Sequence, residues 1–407
     1  MRDLSRNEAL VSRAQRVIPG GMWGHQNAAS LPPGYPQYFS HAKGCHLWDV
    51  DGNRYVDFVC SWGPIILGHC HEAVDEAARG DCLNGPGAVM VELAELFVAT
   101  IAHADWVQFK KNGNDATTSA VTIARAGTGR RKILVARGSY HGSAPWCSPS
   151  VLGVTAEDRA HIIAFEYNDS ESLARAAEQA KGDLAGIIVT AFRHDIGRDQ
   201  ELPDPEFARR ARGICDEEEA ALIVDDVRAG FRLHTGGSWE TLGVRPDLSS
   251  WSKAISNGYA LAALTGNERF RATAAAVFST GSFWTAAVAM AASVATIRAL
   301  LRDDAVAHMT RLGERLRGGL DALSRRHGIA IRQTGPVQMP MLLIADDPDC
   351  RKGFAFCSAA IGQGVYFHPT HNMFLSAAHT EADIDQALEA AAHGFRAVQA
   401  LHALAAE

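Results

Sequence analysis

Two segments of the chain carry residues whose types and spacing suit imine chemistry. The apolar run 221–224 ends on the acids Asp225 and Asp226, and the segment 246–253 ends on Lys253. A short unbroken apolar run predicts a strand buried on both faces, and its carboxyl end projects into the crevice where open α/β sheets bind ligands. A lysine can form a Schiff base, and an aspartate can keep a pyridinium nitrogen protonated. Taken singly, each residue favours a structural interpretation, Asp225 as a cap and Lys253 as a solvated charge.

Three loops add groups that suit a phosphorylated, planar ligand. The segment 110–117 follows a predicted strand and opens a helix, so its backbone N–H groups, with Gly113 permitting close approach, could bind phosphate. The segment 138–142 brings Tyr140 to the same sheet edge, where its ring could stack on a planar ring. The segment 278–282 offers three hydroxyls for phosphate or for capping a helix. Each loop alone also fits a capped helix or simple packing, but together the loops describe one site.

The elements around these residues alternate between strand and helix. Buried-strand patterns occur at 106–109, 133–135, 162–164, 186–189 and 222–224, with helical stretches at about 115–127, 171–180 and 205–219. This alternation predicts an α/β fold with a mainly parallel sheet and helices on both faces. We expect a large domain at 58–300 and a smaller α+β domain at 301–407. An N-terminal helix and hairpin at 1–57 should pack with the smaller domain.

The patterns outside this core are simpler. Residues 22–42 are rich in Gly, Pro, Asn and Ser, which predicts a loop before the hairpin. The stretch after Lys253 is rich in alanine, which favours helix. The C-terminal part shows strand patterns at 339–344 and 365–367 and a closing helix at about 381–402.

Composition and charge exclude several classes of function. The chain has 407 residues, 21% charged residues and a net charge of −7, which argues against a nucleic-acid or acidic-membrane surface. Its eight cysteines are scattered without a CxxC pair, so we expect reduced thiols rather than disulfides or a zinc site. His69 and His71 lack a third nearby ligand, which predicts loop hydrogen bonds and no metal. With no signal-peptide core and no spanning apolar segment, the expected location is cytoplasmic.

The order of these motifs resembles a known family over nearly the whole chain. The chain is similar to class III, fold-type I aminotransferases that depend on pyridoxal 5′-phosphate (PLP), and above all to glutamate-1-semialdehyde 2,1-aminomutases and their aminotransferase relatives. The matching segments are 18–21, 48–53, 61–64, 68–69, 128–131, 140–142, 225–227, 230–232, Lys253, 378–380 and 383–385.

The resemblance implies roles for the residues around the cofactor ring. Lys253 would form the Schiff base with PLP and then move the proton between the substrate Cα and the cofactor C4′. Asp225 would pair with the ring nitrogen. Val227 would pack under the ring and Tyr140 would stack over it, while His141 shares the matching Tyr-His-Gly motif and joins the cofactor-binding set.

The resemblance also implies how the phosphate is held. Backbone amides of Gly113 and Asn114 would bind it. Ser282 stands where the family has a threonine that reaches the phosphate from the partner subunit, so the active unit would be a homodimer with a shared active site. The family's Ser-Gly-Thr-Glu-Ala loop is Asn-Gly-Asn-Asp-Ala at 112–116, which keeps backbone binding but loses a hydroxyl. A usual Glu-Pro is replaced by Thr190-Ala191, which removes a carboxylate.

The substrate positions depart further from the family. The substrate-binding arginine of the aminomutases falls at about Asn27, and a neutral amide cannot replace a guanidinium fork for a carboxylate. A shorter loop at 368–372 replaces the family's loop with a gating glutamate. Candidate substrate contacts are Asn27, Trp62, His368 and His371, with His25 and Trp146 as further candidates.

These observations favour an aminotransferase that moves an amino group between an amino donor and a keto or aldehyde acceptor. An intramolecular aminomutase is the alternative, against which Asn27 counts. A non-catalytic PLP-fold binding protein is a third hypothesis, motivated by the altered phosphate loop and opposed by the retained Lys253 and Asp225. The loss of the arginine fits a neutral, polyhydroxylated or aromatic acceptor.

Overall fold

Packing divides the chain into two compact units. The computed structural model describes residues 2–22 and 26–406, with side chains up to residue 401. Unit 1 comprises the described residues within 1–71, 196–199 and 307–407, and unit 2 comprises residues 72–195 and 200–306. The division into domains that the sequence predicts, at 1–57, 58–300 and 301–407, remains a prediction.

Thirteen strands and eleven helices lie within the described residues. The strands are β1 (Phe39–Lys43), β2 (His46–Asp49), β3 (Arg54–Asp57), β4 (Trp106–Lys110), β5 (Lys132–Ala136), β6 (Ile162–Phe165), β7 (Leu184–Thr190), β8 (Ala221–Asp225), β9 (Leu248–Trp251), β10 (Ala262–Gly266), β11 (Ile331–Thr334), β12 (Met341–Ile344) and β13 (Val365–Tyr366). The helices are α1 (Ser5–Ala14), α2 (Glu72–Gly80), α3 (Ala88–Thr100), α4 (Gly113–Thr128), α5 (Ser170–Ala180), α6 (Pro205–Glu217), α7 (Arg271–Ala276), α8 (Ala287–Arg302), α9 (Ala305–His327), α10 (Arg351–Gly362) and α11 (Glu381–Ala406).

A seven-stranded sheet forms the centre of unit 2. Its order is β4-β10-β9-β8-β7-β5-β6, and β6, β5, β7, β8 and β9 run parallel. Leu222 and Val224 of β8 pack in one apolar cluster that includes Phe207 of α6, whereas Ile223 packs in another that includes Ile123 of α4. The sheet is therefore buried on both faces, which explains the unbroken apolar runs. The predicted α/β fold with a mainly parallel sheet is confirmed.

Unit 1 contains two smaller sheets. β1, β2, β3 and β13 form one in that order, with β13 parallel to β3, and β11 pairs with β12 in an antiparallel ribbon. Helices α10 and α11 pack against each other beside β13. This unit therefore joins the N-terminal hairpin to the C-terminal elements through β13.

The structure corrects the secondary structure predicted for two segments and adds one strand that the sequence analysis did not predict. Residues 39–43 form β1 although the sequence predicts a loop there, because this edge strand is mostly exposed and polar and shows no apolar alternation. Residues 262–266 form the fully buried strand β10 within the stretch predicted as helix. Pairing with β4 and β9 on its two sides outweighs the helix propensity of its alanines. The short strand β11 at 331–334 also lacks a clear pattern.

Among the described residues, no helix combines the length and the apolar character needed to cross a membrane.

Candidate active site

The carboxyl ends of three parallel strands bring the predicted acid and lysine to one edge of the sheet. Thr190 at the end of β7 pairs with Asp225 at the end of β8, and Asp225 pairs with Ser250 of β9. Lys253 follows β9 and opens a short 3₁₀ turn, Lys253–Ser256. Its φ of 51° lies in the left-handed region, which a lysine adopts only when its surroundings impose it. The backbone thus holds Lys253 at the edge where Asp225 ends.

A buried histidine orients the Asp225 carboxylate. The Nδ1 atom of His141 lies 2.7 Å from Oδ2 of Asp225, and both side chains are buried. Oδ1 accepts a hydrogen bond of 3.1 Å from the backbone N–H of Val227. Thr117 donates to the His141 carbonyl at 2.7 Å, so helix α4 fixes the histidine in turn. Both carboxylate oxygens therefore have a partner before any ligand arrives.

The electrostatics around Lys253 favour its neutral amine. Burial and the nearby Arg228 lower the pKa of Lys253 to about 7, and Asp225 opposes the shift. A larger fraction of neutral amine at physiological pH makes the lysine a better nucleophile towards an aldehyde. Arg228 is itself shifted, because burial lowers its pKa to about 10 against the charges of Asp225 and other groups.

The amino terminus of α4 lies in the segment that the sequence predicts to bind an anion. Asp115 accepts a hydrogen bond of 3.0 Å from the backbone N–H of Asn112, so it caps the helix as the structural interpretation expected. A Cβ on Gly113 would lie 2.7 Å from Cγ1 of Val227, so only glycine allows this close approach. The Asn114 carboxamide oxygen accepts N–H groups from Ser143 and Ala144 at 3.0 and 2.9 Å, which joins this loop to the loop of Tyr140.

Tyr140 and Ser282 are both accessible. Tyr140 is 42% exposed, immediately before the anchored His141, and burial of its remaining part raises its pKa. Ser282 is exposed, in the loop whose Ser279 accepts a hydrogen bond of 2.6 Å from the buried Lys110 Nζ. The same Nζ lies 4.4 Å from the ring centre of Trp284. The Ser282 loop is therefore attached to the end of β4, two residues before Asn112.

The predicted substrate residues of unit 1 form an aromatic cluster. The ring centroid of Trp62 lies 5.1 Å from that of His368 and 4.9 Å from that of His371. Trp62 follows Cys60 and Ser61, and all three have positive φ between 48° and 65°, an unusual run that marks a constrained loop. His368 Nδ1 also accepts the backbone N–H of His371 at 2.9 Å. The structure brings these three predicted residues together.

The other substrate candidates have local partners. Asn27 accepts a hydrogen bond from the Ala29 N–H and donates to the Met22 carbonyl, so both ends of its amide are used within its own loop. Trp146 of unit 2 donates to Thr118 Oγ1 at 3.1 Å. His25 lies outside the described residues.

A cavity of about 420 Å³ opens in unit 1 beside Trp62. Its described lining residues are Met22, Gln26, Ala28, Leu31, Pro36, Gln37, Phe39, Ser40, His41, Ala42, Leu47, Asp57, Val59, Ser61, Trp62 and Tyr366, and none of them is Lys or Arg. Its one carboxylate, Asp57, is held by His69 Nε2 at 2.9 Å, a loop hydrogen bond of the kind that the sequence predicts.

Sequence reasoning missed two charged groups near the site. Arg228, directly after the Asp-Asp-Val motif, acts electrostatically on Lys253 and Tyr140. Asp195 acts on Arg228, and its carboxylate is held by Arg193 Nε at 2.9 Å. Arg228 could have been noticed because it adjoins a recognised motif, whereas Asp195 lies in a loop without a pattern.

The residues present fit PLP. His141 Nε2 and Thr190 Oγ1 are buried without a hydrogen-bond partner among the described residues. The helix terminus at Gly113 suits a phosphate, the Asp225 carboxylate suits a protonated ring nitrogen, and the Lys253 amine suits an aldehyde. These residues therefore suit the phosphate, the ring nitrogen and the aldehyde of this cofactor.

Comparison with known proteins identifies the family. The class-III aminotransferase model matches residues 32–394. The chain is 48% identical to an aminopentol aminotransferase of Sphingopyxis macrogoltabida, covering 97% of this chain and 94% of the relative. A glutamate-1-semialdehyde 2,1-aminomutase of Acetivibrio thermocellus is 34% identical, covering 95% and 96%. The structure of the PLP internal aldimine form of the FumI protein of Sphingopyxis sp. MTA144 superposes with a TM-score of 0.97 at 48% identity, covering 98% of each chain.

The similarity to the aminotransferase exceeds that to the aminomutase, and this favours transfer between two molecules over intramolecular exchange. The match covers the strands, the helix terminus and the loops that hold Asp225, Gly113 and Lys253. The chain belongs to the class-III aminotransferases and is a PLP-dependent enzyme that moves an amino group from an amino donor to a carbonyl acceptor.

Proposed function

We propose that Lys253 and Asp225 are the catalytic residues of this aminotransferase, with Lys253 attaching the cofactor as a Schiff base. The observation that carries the proposal is their position at the ends of the neighbouring parallel strands β8 and β9. The lowered pKa of Lys253 supports it, because a neutral amine is needed to attach the cofactor and later to accept a proton from the substrate Cα.

PLP, when bound, supplies an electron sink that stabilises negative charge on the substrate Cα. Asp225 would maintain this capacity by holding a proton at the ring nitrogen, and His141 orients the carboxylate for that contact. Lys253 would carry the proton between the substrate Cα and the cofactor C4′. The backbone N–H groups of Gly113 and Asn114 would bind the phosphate, and Val227 and Tyr140 would contact the ring.

The active unit in this proposal is a homodimer with a shared site. Ser282 would reach the phosphate of the partner subunit. Its loop supports this assignment, because Phe283 is 62% exposed and Phe278 is 91% exposed on either side of it. Large exposed apolar side chains around a polar residue are typical of a contact surface. A sedimentation measurement should give a dimer, and Ser282→Ala should weaken PLP binding while leaving dimer assembly unchanged.

The amino donor is proposed to be a neutral, hydroxylated or apolar amine rather than a dicarboxylic amino acid. The relative at 48% identity is named for an aminopentol. By the family resemblance, the carboxylate-binding arginine of the aminomutases falls at about Asn27. The described lining of the cavity beside Trp62 in unit 1 carries neither Lys nor Arg. Without a guanidinium or ammonium partner, a second substrate carboxylate would lose its hydration uncompensated.

Absorbance spectroscopy tests these assignments. The purified protein reconstituted with PLP should show the visible band of the lysine-bound cofactor. An amino donor should remove the band and a keto acid should restore it. Lys253→Ala should lack the band, and Arg302→Gln on the exposed end of α8 serves as a matched control. A Lys253→Ala protein that keeps the band would show that another lysine holds the cofactor.

The same assay ranks the donors. We expect an aliphatic amino alcohol to be converted with a kcat/KM at least ~10-fold above that of glutamate, as one unpaired carboxylate costs more than ~1.4 kcal/mol. Preference for glutamate would contradict the donor class and leave the Lys253 assignment intact.

The cytoplasmic location expected from composition remains part of this proposal.

A further inference from the structure

Three potential metal ligands meet in unit 1, outside the residues assigned to PLP. They are Cys45, His46 and Asp383, and one ligand atom from each lies within 4.8 Å of the others. His46 Nε2 is 3.1 Å from Asp383 Oδ1, and His46 Nδ1 is 3.7 Å from Cys45 Sγ. A thiol, an imidazole and a carboxylate are the ligand types that zinc takes in proteins.

The hairpin turn explains how two adjacent residues face the same partner. Lys43 pairs with His46, so Gly44 and Cys45 form the tight turn between β1 and β2, and Gly44 has a φ of 58°. Within the turn the alternation of side chains along a strand no longer applies. Cys45 and His46 can therefore both approach the first turn of α11, where Asp383 lies.

Asp383 is oriented as a metal ligand would be. Its Oδ2 accepts hydrogen bonds from the backbone N–H and the hydroxyl of Thr380 at 2.9 and 2.6 Å, which leaves Oδ1 for His46. A carboxylate with one oxygen fixed by a helix cap matches the outer hydrogen bonding of protein zinc ligands.

We propose that Cys45, His46 and Asp383 form a zinc-binding site, with water as the fourth ligand, although the spacing of the cysteines in the sequence predicts none. Zinc binding forms the Zn–S bond as the Cys45 thiol releases its proton to solvent. Tetrahedral ligation with bonds of about 2.0–2.3 Å needs ligand atoms roughly 3–4 Å apart. The three ligand atoms lie within 4.8 Å of one another, so a rotation of the His46 ring that turns one nitrogen towards both partners would complete the site. The partly exposed His46, with 22% side-chain exposure, gives the ion an entry path.

The groups around the cluster are compatible with this assignment. Asp57 is engaged by His69 and does not compete. His379 is buried and its Nε2 has no hydrogen-bond partner among the described residues, yet it does not join the three ligands within 4.8 Å. The fourth position is therefore left to water.

Zinc would link the β1–β2 hairpin to the amino terminus of α11, more than three hundred residues later in the chain. A metal that binds the folded state alone stabilises that state in proportion to the logarithm of its concentration. Zinc binding at this site would therefore stabilise the folded state of unit 1.

Cobalt replacement tests the site in the PLP-bound enzyme freed of metal with a chelator. Co²⁺ should bind with one ion per chain and show the visible d–d bands of a four-coordinate cobalt–thiolate centre, and Zn²⁺ should abolish them. Cys45→Ser should lose the bands, and His46→Gln should weaken Co²⁺ binding by at least ~10-fold. His46→Gln leaves the helix cap between Thr380 and Asp383 intact.

Two matched variants test whether the removal of any thiol or any acid would have the same effect on Co²⁺ binding. Cys82→Ser removes an exposed cysteine, and Asp385→Asn removes a neighbouring acid of α11 that pairs with Arg315. Both should bind Co²⁺ like the parent enzyme. Absence of the d–d bands at excess Co²⁺, or bands that survive in Cys45→Ser, would overturn the assignment.

Discussion

The Nδ1 atom of His141 lies 2.7 Å from Oδ2 of Asp225, with both side chains buried. This contact joins the Tyr-His-Gly loop to the end of β8. It fixes the carboxylate that the proposed mechanism directs at the ring nitrogen of the cofactor.

Removing the His141 contact should impair catalysis more than folding. His141→Leu should lower kcat by about 10–100-fold, the usual effect of deleting a partner that orients an active-site ligand. His141→Asn should retain more activity, because its amide N–H lies near the position of Nδ1. Steady-state kinetics together with PLP titration measure both. Equal kcat values for the two variants would mean that the hydrogen bond contributes nothing.

Arg228 should control the protonation of Lys253. It is one of the positive charges that lower the pKa of Lys253, after burial as the main cause. Arg228→Met should therefore raise that pKa and move the pH midpoint for reattachment of PLP to the apoenzyme upwards. At a pH below the midpoint, the neutral amine becomes about tenfold scarcer when the pKa of the lysine rises by one. Stopped-flow absorbance across pH measures the midpoint, with Arg302→Gln as the control, and an unchanged midpoint would exclude the effect.

Asp226 should make the stability of the enzyme depend on pH. Burial raises the pKa of Asp226 to about 7, against hydrogen bonds from Ser238 and with a smaller contribution from Asp225. The unfolded chain loses this proton near pH 4 and the folded chain near pH 7, so the free energy of unfolding should fall with rising pH in this interval and level off above it.

Asp226→Asn should remove that pH dependence. The amide resembles the protonated acid and can still accept the Ser238 N–H. We expect the variant to match the parent near pH 4 and to exceed its stability at pH 8 by on the order of 1–3 kcal/mol. Urea unfolding at both pH values measures the difference, and Asp303→Asn at the surface is the control. A difference that is the same at both pH values would contradict the assignment.

Gly113→Ala should weaken PLP binding. The new Cβ would lie 2.7 Å from Cγ1 of Val227, so the amino terminus of α4 or Val227 must move. We expect the dissociation constant of PLP to rise by at least ~10-fold, which corresponds to ~1.4 kcal/mol. Gly213→Ala in the middle of α6 meets nothing within 4 Å and should stabilise the protein by about 0.5–1 kcal/mol without changing PLP binding. Equal PLP affinity in the two variants would remove the steric argument.

The sequence by itself determined the α/β alternation and the placement of Asp225 and Lys253. Both follow from local patterns, since an apolar run marks a strand buried on both faces and the residues at its carboxyl end must reach the ligand edge. The sequence also predicted that a helix begins at about Gly113. The family resemblance then supplied roles that spacing alone left open.

Only the tertiary structure decided where strands lacking a pattern lie and which distant side chains meet. The alanine-rich β10 is a strand because two neighbours bury it, and its sequence alone favours a helix. The contact of His141 with Asp225 and that of His46 with Asp383 join residues 84 and 337 positions apart. Such contacts depend on how whole helices and strands pack against one another. No periodic pattern in the sequence near either residue predicts that packing.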